Sequence, residues 1–311
     1  MDKFKIILIT TSSFGQYDKE LIREIESQGF NAIVNPYRRK LTETEVSKLI
    51  DEHQPVGIIA GVEPLTRCVL KHARNLRVIS RAGIGMDSVD LDAAKALGID
   101  VYNTPDAPTV PVAELTVGLM LSLLRRIHIT DGGIRRKEWL RPMGNLLQGR
   151  TIGIIGCGRI GSCVAGLLAG FECKITGYDP ASPGTDCIPM ADMDSLLKQS
   201  DIVTLHLPYS KENYHLIDAK AIGLMKKGAC LINASRGGLV DEDALIKALR
   251  SGHLAGAALD CFEEEPYSGP LSGFDNVLLT AHIGSYAVEG RVMMERQAME
   301  NLLGALGIVQ R

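Results

Sequence analysis

Three short segments in the second half of the chain each place ionisable side chains just after an apolar run. They are Asn233-Ala234-Ser235-Arg236-Gly237-Gly238, Asp260-Cys261-Phe262-Glu263-Glu264-Glu265-Pro266 and Thr280-Ala281-His282-Ile283-Gly284-Ser285. Arginine, glutamate and histidine are the types that reduction of a 2-keto acid needs around a hydride donor. A guanidinium stays charged and forks onto two oxygens, so Arg236 can hold a carboxylate and polarise a carbonyl. An imidazole titrates near neutrality, so His282 can protonate a nascent alkoxide and take the proton back in the reverse direction. Glu265 can orient that imidazole. Singly, each has a plainer reading: an ion pair for Arg236, a solvated turn acid for Glu265, a satisfied loop histidine for His282. Together they follow three strand-like runs, and the carboxyl edge of a parallel sheet is where open α/β folds bind ligands.

The hydride donor has its own signature upstream. Residues 151–155 form a short β-branched run, followed at once by Gly156-Cys157-Gly158-Arg159-Ile160-Gly161. A helix is predicted over 159–169 and a strand over 173–177, which delivers Asp179 roughly twenty residues past the turn. Gly156 permits the tight turn, Gly158 leaves room for a pyrophosphate, and Gly161 allows close packing of the helix. The helix N-terminus offers free N–H groups and a positive dipole end to phosphates. Asp179 is placed to accept hydrogen bonds from a ribose diol, and its charge repels a 2′-phosphate, so NAD is favoured over NADP. A glycine turn without ligand is the competing reading of a bare GxGxxG; strand before, helix after and acid at this distance argue against it. Cys157, inside the turn, is either plain packing or a thiol of lowered pKa open to oxidation.

The elements that must position these groups follow from the β/α alternation. From 5 to 102, strands are predicted at 5–10, 31–34, 56–60, 76–80 and 100–102, with helices at 18–28, 43–53, 67–73 and 91–97. This order implies a parallel sheet covered on both faces. Two loops here look specialised: Gly61-Val62-Glu63-Pro64, and Arg81-Ala82-Gly83-Ile84-Gly85-Met86-Asp87, whose glycines can turn N–H groups toward an anion. An ordinary strand-to-helix turn is the alternative for the second. Three prolines within 103–111 mark a domain boundary. The helix at 112–125, apolar on most faces, is expected to pack between domains or subunits, and a further helix is expected to contain Trp139. After Asp179, helices near 192–199, 219–226 and 241–251 alternate with strands at 201–206, 229–234, 255–260 and 277–280, a doubly wound nucleotide domain. A last helix, 286–306, is expected to return to the N-terminal domain.

With 311 residues the chain is long enough for two domains. Apolar content of 45%, charged content of 23% and a net charge of −3 describe an ordinary soluble globular protein. There is no basic field for nucleic acid, and Arg135-Arg136-Lys137 beside Glu138 reads as a solvated helix face. Seven cysteines without a CxxC pair suggest reduced thiols, with neither a disulfide frame nor a metal site. The N-terminal apolar run, interrupted by Lys5, is too short and charged for a signal peptide, and the apolar stretch 112–124, which contains Glu114, is shorter than a membrane span. A cytoplasmic protein with no membrane partner is expected.

In order, SRAGIGMDSVDLDAA, VAELTVGLMLSLLR, GRTIGIIGCGRIG, NASRGGLVDEDAL, LDCFEEEP and NVLLTAHIGS resemble the D-isomer-specific 2-hydroxyacid dehydrogenases, over roughly Val56 to the C-terminus. The resemblance implies an α/β fold with two doubly wound parallel-sheet domains and a cleft between them. A flavodoxin-like substrate domain would comprise 1–103 plus 286–311, and a Rossmann NAD-binding domain 104–285. It implies Arg236, Glu265 and His282 as catalytic residues. Cofactor contacts would fall on Arg159 and Ile160 in the glycine turn, Asp179, Ala234, Ser235, Arg236, Asp260, His282, Gly284 and Ser285. The substrate carboxylate would meet Ala82, Gly83, Ile84 and Gly85 as well as Arg236. Homodimers or homotetramers, joined largely through the nucleotide domains, are implied.

Within the family the likeness is to the branch acting on D-3-phosphoglycerate, in a short form without its regulatory C-terminal domain, which would place the chain in serine biosynthesis. Reduction of glyoxylate or hydroxypyruvate is the alternative, and an NAD(H)-sensing corepressor-like binding protein is an alternative of another class. Two residues depart from the pattern. Glu63 stands where that branch carries an arginine that helps hold the substrate phosphate, with Arg67 or Arg81 as nearby basic residues that could compensate. Ala281 replaces the proline common before the histidine.

Overall fold

Alternation of β-rich runs with short capped helices folds this chain into two parallel sheets. The computed structural model describes residues 5–181 and 188–308; Cys187 lies outside them. The chain divides into two units, Met1–Pro108 with Ser285–Arg311, and Thr109–Gly284.

The first unit contains β1 (Lys5–Ile9), β2 (Phe30–Val34), β3 (Gly57–Ala60), β4 (Val78–Arg81) and β5 (Asp100–Tyr102). Its sheet order is β2-β1-β3-β4-β5, all parallel, the flavodoxin-like order. Ile7, Leu8, Ile9, Ile58 and Ile59 on the central strands are fully buried. Such strands read as continuous apolar runs because both faces are covered. The connecting helices are α1 (Glu20–Ser27), α2 (Glu43–His53), α3 (Arg67–His72) and α4 (Leu91–Ala96). Thr42 and Glu45 close a capping box on α2, with Glu45 N–H donating to Thr42 Oγ1 at 3.3 Å and Thr42 N–H to Glu45 Oε2 at 2.9 Å. The final helix returns to this unit: Met294, Ala298, Met299, Leu302 and Leu303 share one apolar cluster with Ile7, Ile9, Ile59 and Val78.

The second unit opens with α5 (Thr109–Leu124) and α6 (Ile127–Arg135). It continues as β6 (Thr151–Ile155), α7 (Arg159–Leu168), β7 (Lys174–Tyr178), α8 (Met193–Gln199), β8 (Ile202–Leu205), α9 (Ala219–Leu224), β9 (Ala229–Asn233), α10 (Glu242–Arg250), β10 (Leu254–Leu259) and β11 (Val277–Leu279). The parallel sheet runs β11-β10-β9-β8-β6-β7. An isolated parallel bridge between Gly177 and Met190 extends it past β7. With that edge segment as the third strand, the order is the doubly wound dinucleotide order with one strand added. The order reverses between β6 and β8, so the ligand crevice of this sheet type lies outside the carboxyl ends of those strands. The chain then enters α11 (Val288–Ala305), the last helix of the first unit.

One expectation is extended and one is corrected. The helix α5 is a core element of the second unit: Ala113, Leu119, Met120, Leu123 and Leu124 pack with Ile152, Ile154, Val164, Ile232 and Ala258. Its nearly all-round hydrophobicity is satisfied against α7 and the sheet. Trp139 is outside any helix and 80% exposed. The helix α6 ends at Arg135, and Lys137 follows in the left-handed region with φ of 65°, a common way for a helix to stop.

Candidate active site

The glycine turn after β6 is built by contact constraints that only hydrogen side chains meet. Gly156 has φ of 98°, and a Cβ there would lie 2.5 Å from the backbone carbon of His206. A Cβ at Gly161 would lie 2.0 Å from the carbonyl oxygen of Gly156, so the close approach is of helix to turn before helix to strand. A Cβ at Gly158 would meet no protein atom within 4 Å. That open ground beside the first-turn N–H groups of Arg159, Ile160 and Gly161 is the cradle a pyrophosphate requires. Asp179, just past β7, accepts from Cys157 N–H and from Ala181 N–H, both at 2.9 Å, so its carboxylate is held in place at the strand end. Cys157 is buried. Burial and the Asp179 charge push its thiol up to about 11, which, with the side chain buried in the second unit's core, favours packing over a thiol of lowered pKa.

The three charged segments all lie at strand ends of this same sheet. Past β9, Asn233 is 1% exposed and shapes the turn through its side chain. Its Oδ1 accepts from Ser235 N–H at 3.1 Å and its amide donates to Arg236 O at 2.9 Å. Arg236 is half-buried, and its Nη1 donates to Ser235 O at 2.7 Å. Past β10, Glu265 accepts from Phe262 N–H at 3.2 Å. Past β11, His282 presents Nδ1 to both oxygens of Glu265, at 3.0 and 2.9 Å. The side chains of this pair are 40% and 33% exposed. An imidazole held at one nitrogen by a carboxylate keeps the other nitrogen for a proton transfer.

Asp260 holds the histidine loop. It is 1% exposed, and it accepts from Thr280 Oγ1 at 2.6 Å, from Ile283 N–H at 2.8 Å and from Gly284 N–H at 2.8 Å. These bonds bracket His282, whose φ is 52°. A non-glycine residue in that region costs roughly 1–2 kcal/mol, and a buried carboxylate with three donors is the local compensation. The sequence places Asp260 among cofactor contacts through the resemblance and gives Thr280 and Asn233, which lead two of the charged segments, no role of their own. Their position two or three residues before the charged side chains was the available signal.

In the first unit, the 82–85 loop is narrowed by its own bonds. Ala82 N–H donates to Ala60 O at 2.9 Å and Gly83 N–H to Thr104 Oγ1 at 2.7 Å. Among the described residues, the N–H groups of Ile84 and Gly85 have no such partner. Glu63 is 1% exposed. It accepts from Thr10 Oγ1, and its Oε2 accepts from Gly61 N–H at 3.0 Å. Burial pushes its carboxyl upward, partly opposed by these bonds and by Arg81. Arg67 lies 3.7 Å from Asp90. Ser285 belongs to this unit, while His282 and Gly284 belong to the other.

This fold and this strand-edge chemistry define a class, and the chain belongs to it: the D-isomer specific 2-hydroxyacid dehydrogenase family, whose NAD binding domain matches residues 117–284. The chain is similar to a glyoxylate reductase of Thermofilum pendens, 44% identical over 76% of this chain and 74% of the relative. It is also similar to a D-3-phosphoglycerate dehydrogenase of Methanocaldococcus jannaschii, 42% identical over 81% of this chain but 49% of that relative. A crystal structure of D-lactate dehydrogenase from Aquifex aeolicus complexed with NAD and lactic acid superposes with a TM-score of 0.81 at 28% identity, covering 98% of this chain and 97% of that one. The protein is thus an NAD-dependent member of this family, and the open cradle at Gly158 with Asp179 beyond it fits that cofactor. Among the described residues, no helix is long and apolar enough to cross a membrane.

Proposed function

We propose that the chain interconverts a small, unphosphorylated D-2-hydroxy acid and its 2-keto acid, with glyoxylate or hydroxypyruvate as the oxidised partner. The observation that supports the acid–base roles is the Glu265–His282 pair at 2.9 Å on the same strand edge as Arg236. Bound NADH supplies the hydride to the carbonyl carbon. Arg236 holds the carboxylate and draws charge onto the carbonyl oxygen. His282 donates its proton to the nascent alkoxide, and Glu265 keeps the imidazole facing it. The N–H groups of Ile84 and Gly85, without a backbone partner among the described residues, are donors suited to an anion.

The 61–64 loop bears on the size of the acid. Its one charged side chain, Glu63, is turned inward and hydrogen-bonded, so the loop offers a phosphate no cation. Similarity to a phosphoglycerate dehydrogenase favours a second reading, oxidation of D-3-phosphoglycerate. The test is NADH oxidation by the purified protein across glyoxylate, hydroxypyruvate, 3-phosphohydroxypyruvate, pyruvate and 2-ketoglutarate. Highest kcat/KM on glyoxylate or hydroxypyruvate supports the proposal. Preference for the phosphorylated acid selects the second reading, and inactivity on all five overturns both in favour of an NAD(H)-binding sensor.

The functional unit is a cytoplasmic homodimer or homotetramer. Between 127 and 146, Ile127, Ile134, Trp139, Met143 and Leu146 are 51–89% exposed, a density of apolar surface that marks an interaction site. Light scattering on Trp139→Glu checks this, with a shift toward monomer expected.

A further inference from the structure

Beneath the Glu265–His282 pair lies a buried thiol. One donor atom each from Cys261, Glu265 and His282 falls within 4.8 Å of the other two. Cys261 is 2% exposed, and its Sγ donates to Ser235 O at 3.2 Å. The other two side chains are 33% and 40% exposed, so the cluster is closed by sulfur on one side and open to solvent on the other.

We propose that Cys261, Glu265 and His282 form a binding site for a thiophilic divalent cation, zinc above all, and that its occupancy switches the enzyme off. Sulfur, imidazole nitrogen and carboxylate oxygen are the donors zinc takes, and three protein ligands leave a fourth position for water. Tetrahedral zinc, with ligands at about 2.0–2.3 Å, sets donor-to-donor edges of about 3.3–3.6 Å. The imidazole Nδ1 already stands 2.9 and 3.0 Å from the carboxylate oxygens. Closing the cluster around an ion therefore takes side-chain adjustments of roughly an ångström. Magnesium and calcium seek six or more oxygens, which the cluster does not offer.

On binding, the cation takes the place of the proton shared between Nδ1 and Glu265, which moves to Nε2 of a neutral ring or to solvent from a charged one, and the thiol proton passes to solvent as sulfur coordinates. Burial is the largest influence holding the proton on the Cys261 thiol, the Asp260 and Glu265 charges act in the same sense and Arg236 opposes them, so it is the charge of the ion itself that must displace the proton. A search for CxxC spacing misses the site because its donors come from two strand ends, positions 261 and 265 on one and 282 on the other. The inhibitory half of the proposal rests on the acid–base roles given above to Glu265 and His282, whereas the binding half does not.

The test uses metal-free protein titrated with Zn2+ by calorimetry and with Co2+ by absorbance, with NADH oxidation followed in parallel. A single bound ion is expected, with a thiolate-to-cobalt charge-transfer band and turnover that falls with occupancy and returns on adding EDTA. Cys261→Ser should keep the turnover of chelator-treated enzyme and lose zinc affinity by more than about 100-fold, the upper end of what an outer-shell partner is worth. Cys261→Ala serves if the serine variant fails to fold. No binding, a cobalt spectrum without the thiolate band, or unchanged affinity in the Cys261 variants overturns the site. Stoichiometric zinc with intact turnover overturns the inhibitory half together with the acid–base assignment, while a zinc-free result leaves that assignment untouched.

Discussion

Two clusters of the same chemical types sit in the two units of this chain and do opposite things. In the second unit, Glu265 and His282 face each other at 2.9 Å with a third or more of each side chain in solvent. In the first, Arg291 and Glu295 lie one turn apart on α11 with side chains 10% and 1% exposed. There Glu295 accepts from Ser13 Oγ at 2.9 Å and from Gly15 N–H at 3.0 Å, and Arg291 donates to Ser13 Oγ. The closed cluster fastens the last helix to the loop after β1. The open one has a nitrogen to spare and water to exchange with. Residue type does not separate the two; solvent access does.

That contrast is broken most severely at His282. His282→Ala removes the proton carrier and should lower kcat by about 10²–10⁴-fold. Because the side chain is partly exposed, although hydrogen-bonded to Glu265 on a left-handed backbone, unfolding free energy should fall by about 1 kcal/mol. Fluorescence titration should find NADH binding largely intact. Near-normal turnover in this variant would remove the imidazole from the chemistry.

At the closed cluster the pattern should invert, with stability lost and chemistry kept. Glu295→Ala leaves the Arg291 guanidinium buried without its carboxylate, a change that costs about 3–5 kcal/mol. Urea unfolding measures this, and NADH affinity of the folded fraction should not change. The pH sign is also defined. Burial raises the Glu295 carboxyl above its ordinary value, so its share of stability is complete below the unfolded carboxylate range and is lost as pH rises through the raised value. Glu295→Gln should flatten that decline; an equally steep decline in the variant would assign it elsewhere.

Asp260 joins the two types, since it is closed like Glu295 yet serves the open pair. Asp260→Ala frees Thr280, Ile283 and Gly284 from their shared acceptor and lets the left-handed turn at His282 relax. Misplacing a catalytic group by an ångström costs about 10²-fold, and that loss is expected in kcat. Asp260→Asn, which keeps one acceptor oxygen, should recover part of it. Equal activity of the Ala and Asn variants would show that the carboxylate does not hold the loop.

How much of this was legible in the sequence depended on whether a residue's environment was local. The glycine turn was readable because φ at Gly156 and the close approach at Gly161 are set within a few positions. The strand-edge triad was readable because parallel sheets collect their loops on one edge. Glu63 stands where the resemblance expects a phosphate-holding arginine, but its inward turn is not legible in the sequence, because its partner Thr10 lies 53 positions away and only the folded sheet brings them together. The same distance hid the Glu295 cluster, whose Ser13 is 282 positions off. An apolar helix such as α5 declares that it is buried without declaring against what.

A smaller effect concerns His206, past β8. Burial pushes its imidazole down from 6.5 to about 4, with Nε2 3.0 Å from Thr204 Oγ1. The depressed value means its contribution is present above the unfolded value and is lost as pH falls from 6.5 toward 4. Between about pH 7 and pH 5 the loss should amount to about 2 kcal/mol in urea unfolding. His206→Gln should remove most of that slope, and a slope that persists in the variant would point to other groups.

The smallest effect is expected at Asp179, which is half-buried and intermediate between the two clusters. Two backbone donors already hold its carboxylate, so its orientation is fixed before the cofactor arrives. Its charge acts at the ribose, where a diol is accepted and a 2′-phosphate repelled. Asp179→Ala should therefore weaken NAD about tenfold, the value of one charge-assisted hydrogen bond, while affinity for NADP changes little or rises. Asp179→Asn keeps an acceptor but drops the charge, and so separates the two contributions: NAD affinity should fall less than in the Ala variant, while discrimination against NADP narrows as much. An unchanged NAD-to-NADP ratio in both variants would mean that the carboxylate serves the glycine turn through Cys157 N–H and takes no part in choosing the cofactor.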